Sequence, residues 1–128
     1  MEKPFETGVS TDGTFFYARN FLTPFTADIA QTLATEFVLS GETLNVFGCL
    51  IDIRGTKSVS SVIEKYDFAY EKAKEIGLPR LWRYAFIKDQ GDDSLEFIET
   101  VMHNSGYQFQ TFEEESVAVD WLRGTQPT

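Results

Sequence analysis

The feature of this sequence that most constrains its fold is an almost unbroken apolar run at residues 46–53, Val-Phe-Gly-Cys-Leu-Ile-Asp-Ile. A strand with one face in water alternates apolar and polar residues, and this run does not alternate. Continuous apolar runs are typical of strands covered on both faces, as in the parallel sheets of α/β proteins. The run therefore predicts a central strand with helices packed on the sheet.

The segments on either side of this run alternate between strand and helix patterns. Before the central strand we expect strands at 3–9 and 13–22, joined by Thr11-Asp12-Gly13, and a helix from Thr23-Pro24 to about Ser40. After it we expect a helix ended by Gly77, a strand at 82–87, a helix to Gly106, a strand at 107–112 and a last helix. The order β-β-α-β-α-β-α-β-α predicts an α/β fold: a mixed sheet of about five strands, with an antiparallel hairpin, parallel neighbours and right-handed crossovers.

Periodicity and capping patterns add detail to all four of these helices. Thr23-Pro24 is typical of a helix start, while Asp93 with Glu96 and Thr111 with Glu114 have the spacing of capping boxes. Apolar residues at helical spacing predict the buried stripe of two helices. These residues are Val62, Tyr66, Ala69, Ala73 and Ile76 in the second helix, and Val117, Ala118, Trp121 and Leu122 in the last.

Length and charge exclude several classes of protein. At 128 residues the chain has the size of one domain, so we treat residues 1–128 as a single unit. Lys and Arg number 11 against 20 Asp and Glu, and the net charge of −9 opposes binding to nucleic acid or to an anionic membrane. No run of 18 apolar residues predicts a membrane span, and a lone cysteine, Cys49, fits a cytoplasmic location. Cys49 is interpreted as a buried small hydrophobe in preference to a reactive thiol.

In open α/β sheets, ligands bind beyond the carboxyl ends of the parallel strands. Ser60 and Ser61 there are suited to cap a helix or to carry a phosphate. Arg54 either binds an anion or pairs with Asp89 or Asp92. The candidate site comprises Arg54, Gly55, Thr56, Lys57, Ser58, Ser60, Ser61, Lys88 and Asp89.

No catalytic residue, metal site or cofactor motif is evident in the sequence. Asp52 interrupts the apolar strand, either as a general base or as an acceptor of loop N–H groups. Asp89, Asp92 and Asp93 lack EF-hand spacing and are interpreted as a solvated loop and cap. His103 lies near a helix end, where the helix dipole stabilises a cation. The high aromatic content is interpreted as core, with an apolar ligand cavity as the alternative; it includes Phe15, Phe16, Tyr17, Phe21 and Phe25.

Two segments of the chain resemble the SpoIIAA-like branch of the STAS superfamily. Leu50-Ile51-Asp52-Ile53-Arg54-Gly55 is similar to the central strand and its exit in that family. The closing segment, with Gly106-Tyr107, Thr111-Phe112-Glu113-Glu114-Glu115, Ala118 and Trp121-Leu122, resembles the family's ending. The resemblance implies a STAS-like fold related to anti-sigma factor antagonists, with looser kinship to the CRAL-TRIO lipid-binding fold.

In the antagonists, a phosphorylated serine at the start of the helix after the central strand switches binding to an anti-sigma kinase. Ser60 and Ser61 occupy that location, although Val59 and Val62 stand where the antagonist motif has aspartate and glycine. We therefore expect a non-enzymatic regulatory or protein-interaction module. The alternatives are a carrier of a small apolar or lipid-like ligand and, third, an enzyme using Asp52 or Asp89. An exposed edge of the hairpin also predicts homodimerisation as an open alternative.

Overall fold

The computed structural model describes residues 5–41 and 44–124. Their order confirms the predicted alternation of strands and helices. The elements are β1 Glu6–Val9, β2 Phe16–Arg19, α1 Ala27–Gly41, β3 Gly48–Asp52, α2 Val62–Asp67, a π-helical segment Phe68–Lys72, α3 Ala73–Ile76, β4 Arg83–Ile87, α4 Glu96–Asn104, β5 Gln108–Phe112 and α5 Glu115–Leu122.

The five strands form one mixed sheet in the order β1-β2-β3-β4-β5. β1 pairs antiparallel with β2, as the hairpin prediction requires, and each later strand pairs parallel with its predecessor. All five residues of β3 are buried. The apolar run therefore forms the middle strand of the sheet, as predicted.

Helices cover the two faces of the sheet unequally. On one face, Cys49 and Ile51 of β3 belong to a large apolar cluster that contains side chains from α1, α3 and α4. On the other face, Leu50 belongs to a smaller cluster whose helical members, Ala118 and Leu122, come from α5. β3 thus contributes alternate side chains to two separate cores.

The second helix differs from its predicted face. Ala69 and Ala73 are buried as expected, and Gly77 ends the helix with φ +84°. Val62 and Tyr66, predicted to be buried, are 56% and 47% exposed. The π-helical segment explains the difference, because its wider turn changes the angular phase between the residues before and after it.

The start of the first helix also differs from the prediction. α1 begins at Ala27, not at Thr23-Pro24, because Phe25 is extended and bridges Ser58 in parallel. The Oγ1 of Thr26 instead accepts a hydrogen bond from the N–H of Ile29 at 3.3 Å.

Neither predicted capping box forms. Glu96 donates its N–H to the main-chain oxygen of Asp93, and no side chain caps α4. α5 begins after Glu114 without a side-chain cap, because Thr111 remains part of β5. In the predicted stripe of α5, Ala118 and Leu122 are buried, whereas Val117 is exposed.

Among residues 5–41 and 44–124, no helix has both the length and the apolar character needed to span a membrane.

Candidate functional site

The loops that follow β3 and β4 meet over a shallow polar cleft. It lies at the carboxyl ends of the parallel strands, where the sequence predicted a site. Its lining includes five of the predicted residues, namely Gly55, Thr56, Lys57, Ser58 and Asp89. Ser60 lines a separate apolar cavity next to it, and Arg54, Ser61 and Lys88 line neither space.

Side chains tie the loops of this cleft to each other. Asp89 accepts the N–H of Gly55 through Oδ2 at 2.9 Å, and Ser94 accepts the N–H of Ser58 through Oγ at 3.0 Å. Because the cleft also contains Asp92 and Asp93, its charge opposes binding of a phosphate or carboxylate. In the part of the chain that the structure describes, no group of three or more His, Cys, Asp or Glu residues is placed to hold a metal ion.

Arg54 pairs with Asp52, so the predicted pairing with Asp89 or Asp92 is wrong. Its Nε lies 2.9 Å from Asp52 Oδ1 and its Nη2 lies 2.6 Å from Oδ2, which makes a bidentate ion pair. The Arg54 N–H also donates to Oδ1 at 3.1 Å. Hydrogen bonding of the Arg54 guanidinium to Asp52 is the main cause that raises the pKa of Arg54 above its usual value. Asp52 thus accepts loop N–H groups, as one of its two sequence interpretations required.

Ser61 caps α2 through a complete capping box. The N–H of Glu64 donates to Ser61 Oγ at 3.1 Å, and the N–H of Ser61 donates to Glu64 Oε1 at 2.8 Å. This geometry confirms the capping interpretation for Ser61. Ser60 is half-buried at the rim of the apolar cavity.

An apolar cavity of about 80 Å³ lies between the sheet and the helices α1, α2 and α4. An apolar cavity was the alternative interpretation of the aromatic residues in the N-terminal part of the sequence, and among those named there Phe25 lines it. Its position follows from α1, where Ala27, Ala30 and Ala34 line the space at spacings of three and four residues.

Large aromatic side chains form much of the remaining wall of the cavity. They are Phe25, Phe37, Phe68, Tyr84, Phe86 and Phe109. Phe86 stacks on Phe109 with ring centroids 4.8 Å apart, and Phe25 meets Phe86 edge-on at 5.4 Å. These contacts hold the rings against each other, so the small alanine side chains opposite leave space unfilled.

An exposed apolar surface on the second helix was missed by the sequence analysis. We call it the α2 face and define it as Val62, Ile63, Tyr66 and Tyr70, which are 56%, 79%, 47% and 41% exposed. Tyr66 stacks on Tyr70 at 5.8 Å and meets Phe97 of α4 edge-on at 5.4 Å. The phase change at the π-helical segment exposes residues whose spacing predicted burial.

Two remaining candidates have structural roles. Cys49 is fully buried, and burial raises the pKa of its thiol well above the usual value, so the unreactive protonated form is favoured. His103, in the last turn of α4, uses Nε2 in a hydrogen bond with the main-chain oxygen of Phe109. Neither residue lines the polar cleft or the apolar cavity.

The architecture and these sites define a class: an α/β protein with a five-stranded mixed sheet, a polar cleft at the strand ends and an apolar cavity under its helices. Comparison of the chain with protein-family models, curated proteins and solved structures found no match.

Proposed function

We propose that this chain is a non-enzymatic, STAS-like interaction module that binds a protein partner through the α2 face. The observation that carries the proposal is the exposure of Val62, Ile63, Tyr66 and Tyr70 on a helical run that is anchored in the core by the buried residues Ala69 and Ala73. Contiguous exposed apolar surface of this kind marks interaction sites on folded proteins.

The side chains of the α2 face suit a binding surface. The two tyrosines are braced by ring contacts with each other and with Phe97, so little side-chain entropy is lost when a partner orders them. Ile63, at 79% exposed, has the most apolar area still to bury. Tyrosine is also enriched among the residues that dominate interface energetics.

The charges around the α2 face indicate the chemistry of the partner. Glu64, Asp67 and Glu71 lie exposed on the same helical run. With the net charge of −9, they favour an apolar groove flanked by lysine or arginine. Association with such a partner should slow as ionic strength increases.

The family resemblance supports the same surface. In STAS-like antagonists, a serine at the start of this helix switches partner binding, and Ser60 and Ser61 directly precede Val62. A phosphate on either serine would add charge beside the α2 face. Homodimerisation through the β1 edge stays a prediction, independent of this surface.

Pull-down from cell extract tests the proposal with one charge substitution and one matched control. Ile63→Asp places a carboxylate in the middle of the α2 face and should abolish capture of the partner. Val117→Asp makes the same change at a half-exposed residue of α5, on the other side of the sheet, and should leave capture unchanged. Identical partners for wild type and Ile63→Asp would refute the proposal.

The role of the serines is tested separately with Ser60→Asp and Ser61→Asp. Aspartate is itself a good N-cap, so Ser61→Asp keeps α2 capped while adding a charge. Loss of the partner with unchanged thermal stability would support a charge switch. Unchanged capture by both variants would restrict Ser61 to its capping role.

A further inference from the structure

We infer that the apolar cavity is a binding site for a small molecule with an apolar body, up to about one ring in size, and one polar end. The inference goes beyond partner binding by the α2 face and does not depend on it. It rests on the cavity's walls, its mouth and its volume.

The walls are built in a way that keeps the space open. α1 contributes Ala27, Ala30 and Ala34, and the opposite side is formed by rings, including Phe86 and Phe109, that pack on each other. An apolar cavity of this type excludes water and takes up apolar molecules instead. The occupant should therefore present hydrocarbon or an aromatic ring to these walls.

The mouth of the cavity is polar. Thr26 before α1, Ser60 before α2, and Glu64 and Lys65 in α2 line the space, and Glu64 is exposed to solvent. The Nζ of Lys65 lies 3.5 Å from the main-chain oxygen of Ser94, which lines the adjacent polar cleft. A hydroxyl or similar polar group on the ligand would lie among these side chains and keep its hydrogen bonds.

The helix that forms one wall is distorted where it meets the cavity. Phe68, the first residue of the π-helical segment, lines the space, while Tyr66 and Tyr70 on either side are exposed. π-Helical turns are costly and occur frequently at functional sites. The distortion is thus an independent indication that this wall serves more than packing.

The volume limits the occupant. The cavity measures about 80 Å³, whereas an engineered cavity that takes up benzene measures about 150 Å³. A single ring is therefore the upper limit for the apolar body of the occupant, its polar end would have to lie in the mouth, and a long acyl chain would not fit. We name benzyl alcohol as the probe that matches this chemistry, benzene as the probe without the polar end, and oleate as the long-chain competitor.

Amide NMR titration of the intact chain tests the inference. Wild type should give saturable shifts with benzyl alcohol at residues that line the cavity, with weaker binding of benzene and none of oleate. Ala34→Leu fills the space and should lower the affinity for benzyl alcohol at least tenfold. Thr35→Leu, the matched change at the exposed neighbouring position of α1, should bind like wild type.

Several outcomes would overturn the inference. The first is the absence of saturable shifts when wild type is titrated with benzyl alcohol. The second is binding of benzyl alcohol by Ala34→Leu with the same affinity as wild type, and the third is tighter binding of oleate than of benzyl alcohol. Should Ala34→Leu fail to fold, Ala30→Leu fills the same cavity from the next turn of α1. Ile63→Asp should bind benzyl alcohol normally, so a failed partner experiment and a failed ligand experiment are distinguishable.

Discussion

Replacing Arg54 by methionine should destabilise the fold, because it leaves the carboxylate of Asp52 without the guanidinium that pairs with it. The Asp52 side chain is only 12% exposed, and three of its hydrogen bonds come from the main chain and guanidinium of Arg54. Arg54→Met keeps an unbranched stem but leaves only the bond from its own N–H. A buried carboxylate is then left with less compensation for its lost hydration.

The exposure of the two partners sets the magnitude. Breaking a buried ion pair costs about 3–5 kcal/mol, but the Arg54 side chain is 42% exposed, so water can reach the vacated position and the cost falls to about 2 kcal/mol. Replacing both residues, Asp52→Leu with Arg54→Met, also removes the unpaired carboxylate and should recover about 1 kcal/mol of the lost free energy of unfolding. By contrast, Glu115 lies 3.4 Å from Arg54 with 41% of its side chain exposed, and Glu115→Gln should cost less than about 0.5 kcal/mol.

Urea denaturation of the four proteins measures these differences as shifts in midpoint at constant slope. Two results would contradict a buried, Arg54-dependent carboxylate: a stability of Arg54→Met within about 0.5 kcal/mol of wild type, or a cost of Glu115→Gln as large as that of Arg54→Met. Either result would mean that Asp52 is better hydrated than its burial indicates.

Three further predictions address the core, the cap and the sheet. Burial favours the neutral forms of Cys49 and Tyr84 and raises both pKa values, so the stability they contribute is complete below their ordinary values of 9.0 and 10.0. It should fall by about 1.4 kcal/mol per pH unit for each group as pH rises past those values, and Cys49→Ala should flatten the loss from pH 9 in urea melts. Ser61→Ala should cost about 1 kcal/mol, while Ser61→Asp should cost little; equal thermal shifts in the two variants would contradict the capping role. Gly48→Ala places a Cβ 2.9 Å from Leu122 and 3.0 Å from a β4 carbonyl oxygen, so it should cost about 1–3 kcal/mol, and a neutral urea midpoint would rule out this close approach.

The sheet could be predicted because its signals are local. The residues 46–53 lack the alternation of a one-sided strand, and β3 is indeed buried on both faces. Gly77 ended its helix as predicted, since the left-handed backbone there favours glycine. The starts of α1, α4 and α5 were misplaced because non-local contacts compete with local capping. Phe25, for example, is held extended by its pairing with Ser58.

Much of the candidate site depends on information that the sequence pattern does not carry. A helical wheel assumes a constant angle per residue, so the π-helical segment alone was enough to reverse the predicted burial of Val62 and Tyr66. The cavity depends on how closely α1 approaches the sheet, which three alanines do not determine by themselves. The sequence pattern offered Asp89 or Asp92 as partners of Arg54, whereas the folded geometry pairs it with Asp52, two residues earlier, and with Glu115.

The unequal covering of the sheet has a consequence for synthesis of the protein. The helices that pack on one face, α1, α3 and α4, have all been synthesised once α4 has left the ribosome, whereas the opposite face is covered only by α5, the last described element. Until then, Leu50, Ala85 and Ile87 have no helix over them. A nascent chain that stalls or terminates before α5 would therefore expose the apolar residues of this sheet face to chaperones. Packing of α5 covers them and so protects the newly synthesised protein from aggregation.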